Sequence, residues 1–374
     1  MKRVARALGL LVALSAMATV VVVAASRLPR ADVTAIPPPV VIERSPRHAG
    51  SATLLFLGDT GLGDAATSTL NERGYRFPFI PTRELLGTAD LVVANHEMPI
   101  SDGGRRFPFY KEYVYRARPE SAEALAWAGV GVLELANNHI TDFGDAALLD
   151  TIRLSRAAGM TTLGAGENEA EARRGVVVKV GDVRVGLLDY CERQLLWAIY
   201  VDNFARGDHA GAAALTEAAL RSDIARLRPL SDVLVVSLHI GYNYEAPAEA
   251  TLKWSRLAVD LGADLVVNHH PHVSHPLAVH DGKLIALSLG NYAFGTPGRP
   301  DLGEGEMLFV QVERRAIDRV EVVPIDVQNR RVRFAPRPLV GAALKAALDR
   351  LVSTSGLFGA SLSRENGRAV WRPR

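Results

Sequence analysis

Five short apolar runs in this chain end abruptly in side chains that bind metals or move protons. Leu54-Leu55-Phe56-Leu57 runs into Gly58-Asp59, and Leu91-Val92-Val93-Ala94 into Asn95-His96-Glu97. Val130-Gly131-Val132-Leu133 leads to Leu135-Ala136-Asn137-Asn138-His139, and Val233-Leu234-Val235-Val236 reaches His239. Leu265-Val266-Val267 opens into Asn268-His269-His270-Pro271-His272. Apolar runs of this length, bounded by turn residues, read as buried strands. Layered α/β sheets bind ligands beyond the carboxyl ends of such strands. Distant segments would therefore deliver Asp, Glu, Asn and His to one rim, which is the pattern of a metal site.

Composition narrows the field. The 374 residues allow one large domain or two ordinary ones, and 48% hydrophobic with 22% charged residues is a globular balance. A formal charge of +2, with arginines scattered along the chain, gives no footprint for nucleic acid. The single cysteine, Cys191, rules out an intrachain disulfide and a zinc–thiolate cluster. It follows Leu187-Leu188-Asp189-Tyr190 at an expected strand end and reads as a quiet, partly buried thiol.

The N-terminal segment carries an export signal. Lys2, Arg3 and Arg6 precede an apolar stretch from Ala7 to Ala25. Cleaved signals have h-regions of about 7–15 residues, whereas a membrane span needs about 20. The stretch is therefore read as an uncleaved anchor within residues 1–27, with the body outside the cytoplasm. Cleavage after Val23-Ala24-Ala25, which would release the protein, is the alternative. Residues 28–50, with Pro37-Pro38-Pro39, read as a semi-rigid linker.

The folded body is expected over residues 51–335. Helix-like segments are Pro119 to Gly129, Gly144 to Gly159, Leu215 to Arg228 and Pro247 to Gly262. In the last of these, Trp254, Leu257, Ala258 and Leu261 fall at i, i+3, i+4 and i+7. Met307 to Val312 and Val320 to Ile325 read as an antiparallel hairpin. Residues 336–374 hold one helix-like piece, Val340 to Val352, and a polar end with no assigned place.

Taken singly, the candidate residues are ordinary: Asp59 reads as a cap, Asn137-Asn138-His139 as a turn, Glu97 as a loop acid. The ten histidines change the balance, because three of them fall within His269–His272 and His275 follows. Packing unpartnered carboxylates and imidazoles costs several kcal/mol per charge, and a bound cation relieves that cost. An all-oxygen and nitrogen donor set favours manganese, iron or zinc over copper(I) or iron–sulfur clusters. Two such cations can polarise a phosphoryl oxygen and supply a hydroxide.

The ordered set of motifs resembles the CapA family of capsule-synthesis proteins, associated with poly-γ-glutamate and similar to calcineurin-like metallophosphoesterases. The motifs are Gly58-Asp59 with Leu62-Gly63, Asn95-His96-Glu97, Ala136-Asn137-Asn138-His139 with Asp142 and Gly144, His239-Ile240-Gly241, His270-Pro271-His272-Val273 and Ser288-Leu289-Gly290-Asn291-Tyr292. They span Thr53 to Phe294, most of the body. The resemblance implies a four-layer α/β/β/α sandwich binding one or two divalent cations. It implies metal ligation by Asp59, Glu97, Asn138, His239, His270 and His272, with Glu97 bridging, and a catalytic or orienting role for His139. Asn137 and Asn291 would brace ligands or touch substrate. The implied partners are the polymer-synthesis machinery at a bacterial membrane and an anionic polymer or phosphoester.

The chain also departs from the pattern. Metallophosphoesterases usually begin with Asp-x-His, but here Asp59-Thr60-Gly61 lacks the histidine. His96 either compensates or points away from the site. Asn243-Tyr244 replaces a usual Glu-Tyr pair, and Thr251 and His275 stand where glutamines are common. Three functions follow: a tethered component of capsule or poly-γ-glutamate-type polymer production, an extracytoplasmic metal-dependent phosphoesterase, or a non-catalytic binding module on the same fold. The sequence carries no sign of the number of subunits.

Overall fold

The strand Ser51–Gly61 shows why the apolar runs are continuous instead of alternating with polar residues. Leu54 and Phe56 pack on one side of it, and Leu55 and Leu57 on the other, all buried. A strand covered on both faces has no solvated side to fill with polar residues. The same parity holds in Val233–His239, where Val233 and Val235 face one core and Leu234 and Val236 another.

The structure is a computed structural model and describes residues 35–106, 111, 113–193, 203–294 and 303–373. Among these, one sheet has seven strands. In spatial order they are Val40–Arg44, Val176–Val180, Val183–Cys191, Val233–His239, Leu265–His269, Lys283–Ala286 and Leu277–His280. A second has ten strands, with Ser51–Gly61, Leu91–His96, Val130–Glu134 and Thr161–Leu163 running parallel in that order. Ala165–Gly166 pairs with Gly211–Ala212 in a small two-stranded sheet. The inner faces of the two large sheets share one core, which includes Phe56, Val93, Val185, Val235, Val267 and Leu308. Helices Glu120–Ala128 and Gly144–Ala157 cover the outer face of the ten-stranded sheet through Leu125, Leu148 and Ile152. Helices Glu217–Leu227 and Glu249–Asp260 cover the seven-stranded sheet through Leu220, Ile224 and Ala258. The layers thus run helix, sheet, sheet, helix.

Local signals set the helix ends. Gly129 closes Glu120–Ala128 at φ 101°, a left-handed position open to glycine. The Thr216 side chain accepts from the Ala219 N–H at 3.1 Å and opens Glu217–Leu227.

Three regions differ from the sequence reading or complete it. Val40–Arg44, placed in the linker, is a strand paired parallel with Val176–Val180. Its Val40 and Ile42 pack against the inter-sheet core, so the body starts before Ser51. The hairpin is longer than expected, Glu304–Glu313 with Ala316–Asp326, and turns through Arg314 and Arg315 at φ 48° and 66°. The unassigned end joins the ten-stranded sheet as Ser363–Glu365 and Arg368–Trp371, after helix Gly341–Gly356. The expected N-terminal anchor lies outside the described residues. Among the described residues, no helix is long and apolar enough to cross a membrane.

Candidate metal centre

The parallel strands of both sheets deliver their carboxyl ends to one rim. Asp59 reaches it because Gly58 lets the Asn291–Phe294 strand approach closely: a Cβ at position 58 would lie 2.2 Å from Gly290 O. The Asp59 N–H donates to that same oxygen at 2.9 Å. The pairing of Ser51–Gly61 with Leu91–His96 slips by one residue between Leu57 and Thr60. Such an irregularity re-aims side chains at a strand end.

Asn95 and Glu97 leave the second strand on its site-facing side. Asn95 Nδ2 donates to Asp59 Oδ1 at 2.8 Å. Glu97 is fully buried, and neither carboxylate oxygen has a hydrogen-bond donor. Burial pushes its pKa up to about 7, against the pull of the neighbouring His272.

Asn137 braces the loop after the third strand. Its Nδ2 donates to His96 O at 3.0 Å and to Asn95 Oδ1 at 3.3 Å, while its Oδ1 accepts from the His139 N–H at 3.2 Å. Asn138 Oδ1 lies 2.8 Å from His239 Nε2 on the opposite sheet. His139 Nδ1 lies 2.7 Å from Asp142 Oδ2. Asp142 is held in turn by the Tyr115 N–H and by buried Lys111. Burial, followed by the Lys111 charge, lowers the His139 pKa against the pull of Asp142.

The remaining donors come from the turn after Leu265–His269. His270 and His272 have φ of 98° and 57°, uncommon for bulky residues. His270 Nδ1 lies 3.0 Å from His239 Nε2, and its backbone N–H donates to Asp59 Oδ2 at 3.1 Å. His272 Nδ1 lies 3.3 Å from Asp59 Oδ2 and 2.9 Å from Asn291 Oδ1.

Two donor groups result, Glu97–His239–His270 and Asp59–Glu97–His272, the atoms of each within 4.8 Å of one another. Glu97 belongs to both. These residues fit divalent cations on chemical grounds. His239 Nε2 has Asn138 Oδ1, His270 Nδ1 and Glu97 Oε1 at 2.8, 3.0 and 3.3 Å. One imidazole proton cannot satisfy three such neighbours, but a cation accepts all four lone pairs. Burial holds His239 down at about 3 and His270 well below the usual range, so both are neutral, the form that ligates. For His272, burial opposes protonation, but the Glu97 and Asp59 carboxylates overcome it and raise the pKa to about 9.

The structure brings the candidate ligands Asp59, Glu97, Asn138, His239, His270 and His272 to one place, with His139, Asn137 and Asn291 beside them. His96 does not join. Its Nδ1 lies 2.8 Å from Met98 O, and it lies on the strand face opposite Asn95 and Glu97. The missing histidine also has a packing counterpart, since a Cβ on Gly61 would meet Met98 Cε at 2.3 Å and the Phe294 ring at 3.0 Å. Sequence reasoning left His269, Glu134, Lys111 and Tyr115 without roles. Parity could have found the first two: His269 continues the inward face of Leu265 and Val267, and Glu134 that of Val132. No comparable signal marked Lys111 or Tyr115.

Comparisons with known proteins agree with the motif reading. "Capsule biosynthesis protein CapA" of Bacillus anthracis is 27% identical over 86% of this chain and 78% of its own length. "PGA biosynthesis protein CapA" of Bacillus subtilis is 26% identical over 78% and 74%. A Mycobacterium tuberculosis protein described as a "probable polyglutamine synthesis accessory protein" is 32% identical over 54% and 55%. Residues 53–296 match the family described as "Bacterial capsule synthesis protein PGA_cap", and the chain belongs to that family.

Proposed function

We propose that this protein is a membrane-tethered, extracytoplasmic component of capsule or poly-γ-glutamate-type polymer production, working through a divalent metal centre of metallophosphoesterase type. The family and the names of its relatives support the process. The basic and apolar N-terminal segment supports the location. The polymer-synthesis machinery is the partner this reading implies. The observation that carries the chemistry is the pair of buried donor groups sharing Glu97.

Asp59, Glu97, Asn138, His239, His270 and His272 would hold one or two cations. Manganese, iron and zinc suit this donor set. Bound cations of this kind polarise a phosphoryl oxygen and lower the pKa of water. The protein supplies orientation and proton handling. Asn95 fixes Asp59, Asn137 fixes the loop carrying Asn138, and Asn291 fixes His272. His139, with Nδ1 held by Asp142, would act at a leaving oxygen through Nε2, which must first take up a proton because burial keeps the imidazole neutral.

A second reading, binding without turnover, is favoured by Gly61, which offers no donor where an Asp-x-His histidine would stand. One experiment separates the two. The purified full chain is analysed for bound metal and assayed on generic phosphomonoesters and diesters, alongside His270→Ala. Metal uptake and turnover in the parent, both lost in a folded His270→Ala, support hydrolysis. Metal uptake with polymer binding and no turnover supports the binding role, and no metal uptake removes both.

A further inference from the structure

Beneath the ligands, the inner faces of the two sheets turn polar at their carboxyl ends. Glu134, Asp189, Ser237 and His269 each continue the parity of an inward apolar run and are buried there. His269 Nδ1 lies 3.2 Å from Asp59 Oδ1, and its Nε2 lies 3.5 Å from Glu134 Oε2, ion-pair contacts without hydrogen-bond geometry. Ser237 Oγ donates to the other Glu134 oxygen, Oε1. Asp189 Oδ2 accepts from the Ala136 N–H at 2.9 Å, which pins the backbone just before Asn137 and Asn138.

The two Asp59 oxygens are therefore different. Oδ1 faces Asn95 Nδ2 and His269, whereas Oδ2 faces His272 and the His270 backbone N–H. A carboxylate gripped on one oxygen presents the other in a fixed direction. Outer partners of this sort govern metal affinity because they orient the atoms that touch the ion.

We propose that His269 and Glu134 are positioning residues: a buried column, Ser237–Glu134–His269–Asp59, that holds Asp59 in its ligating orientation from below. The inference rests on the metal-centre reading above. The competing role is charge balance alone, with His269 offsetting buried acids and contributing to folding without acting on the ligand.

The test measures Mn2+ affinity of the full chain by titration calorimetry, with thermal unfolding of each metal-free variant beside it. His269→Ala should weaken Mn2+ binding by about 10- to 100-fold. His269→Asn, whose amide nitrogen falls near the imidazole Nδ1, should recover most of that loss, whereas His269→Gln should not. Glu134→Gln should weaken binding less than His269→Ala, and adding it to His269→Ala should cost nothing further, because it acts through the imidazole. Unchanged affinity in folded His269→Ala overturns the column, as does an additive double variant. Should His269→Ala fail to fold, the Asn and Gln variants carry the decision, and equal affinity in those two overturns it. A parent chain that binds no Mn2+ is a distinct result: it removes the metal centre itself, and the column with it.

Discussion

His239 Nε2 stands 2.8 Å from Asn138 Oδ1, a contact that joins the rims of the two sheets. His239 ends a strand of one sheet, and Asn138 follows a strand of the other. Asn138→Ala removes this link without touching either hydrophobic face. Metal affinity should fall by at least about tenfold, while stability changes by only about 1 kcal/mol. Calorimetric metal titration and urea unfolding check the two halves.

Glu97 should separate metal binding from stability. Its buried carboxylate makes no hydrogen bond but lies 3.3 Å from His239 Nε2 and 3.6 Å from His272 Nε2. The desolvation relieved by Glu97→Gln is therefore offset by the lost pairing, and metal-free stability should change by only about 1 kcal/mol. The same substitution removes the carboxylate common to both donor groups, and metal uptake should be lost. Adding Mn2+ should raise the melting temperature of the parent and leave that of the variant unchanged.

His139 should separate chemistry from metal binding. It lies outside both donor groups but is anchored to Asp142. If the centre hydrolyses phosphoesters, His139→Gln should lower kcat by about 10²–10⁴ with metal content unchanged. A parallel loss of metal would make His139 a ligand instead of a proton donor.

Glu306 predicts a pH dependence away from the centre. Burial raises its carboxyl from 4.5 to about 8, opposed only by the Ser274 hydroxyl. The unfolded chain releases this proton near 4.5 and the folded chain near 8, so the folded state binds more protons between them. Stability contributed by this group is therefore full below pH 4.5 and falls as pH rises to about 8. Glu306→Gln should abolish that fall, gaining a few kcal/mol over the parent at pH 8 and little at pH 4. Urea unfolding across this range tests the sign.

Gly58→Ala tests the close approach behind Asp59. The added methyl meets Gly290 O at 2.2 Å, and because that neighbour is backbone it has little room to give. A loss of about 1–3 kcal/mol is expected, together with weaker metal uptake as Asp59 moves. A folded variant with parental affinity would show that this strand pairing does not place the ligand.

The layers and the clustering of the candidate ligands were legible in the sequence for one reason: apolar runs buried on both faces stop where polar side chains begin. Val40–Arg44 was obscured because Pro37-Pro38-Pro39 dominated its surroundings, although its valines and isoleucine suit an edge strand. The C-terminal hairpin did carry a signal. Asn366-Gly367, at φ 50° and 76°, is the residue pair that a two-residue hairpin turn prefers. Its counterpart at Arg314-Arg315 carries no such mark, and there the long cross-strand pairing decides. His269 and His270 are neighbours in the chain, yet one points down between the sheets and the other into the centre. Composition alone cannot divide such a cluster; strand parity can.

The backbone at His270 and His272 has a further consequence. Both occupy left-handed conformations in which glycine would rest more easily. Glycine at either place would ease the main chain but would empty the centre of a donor and leave buried carboxylates such as Asp59 and Glu97 with one partner fewer. An uncommon backbone is thus kept at this turn together with the imidazoles it carries.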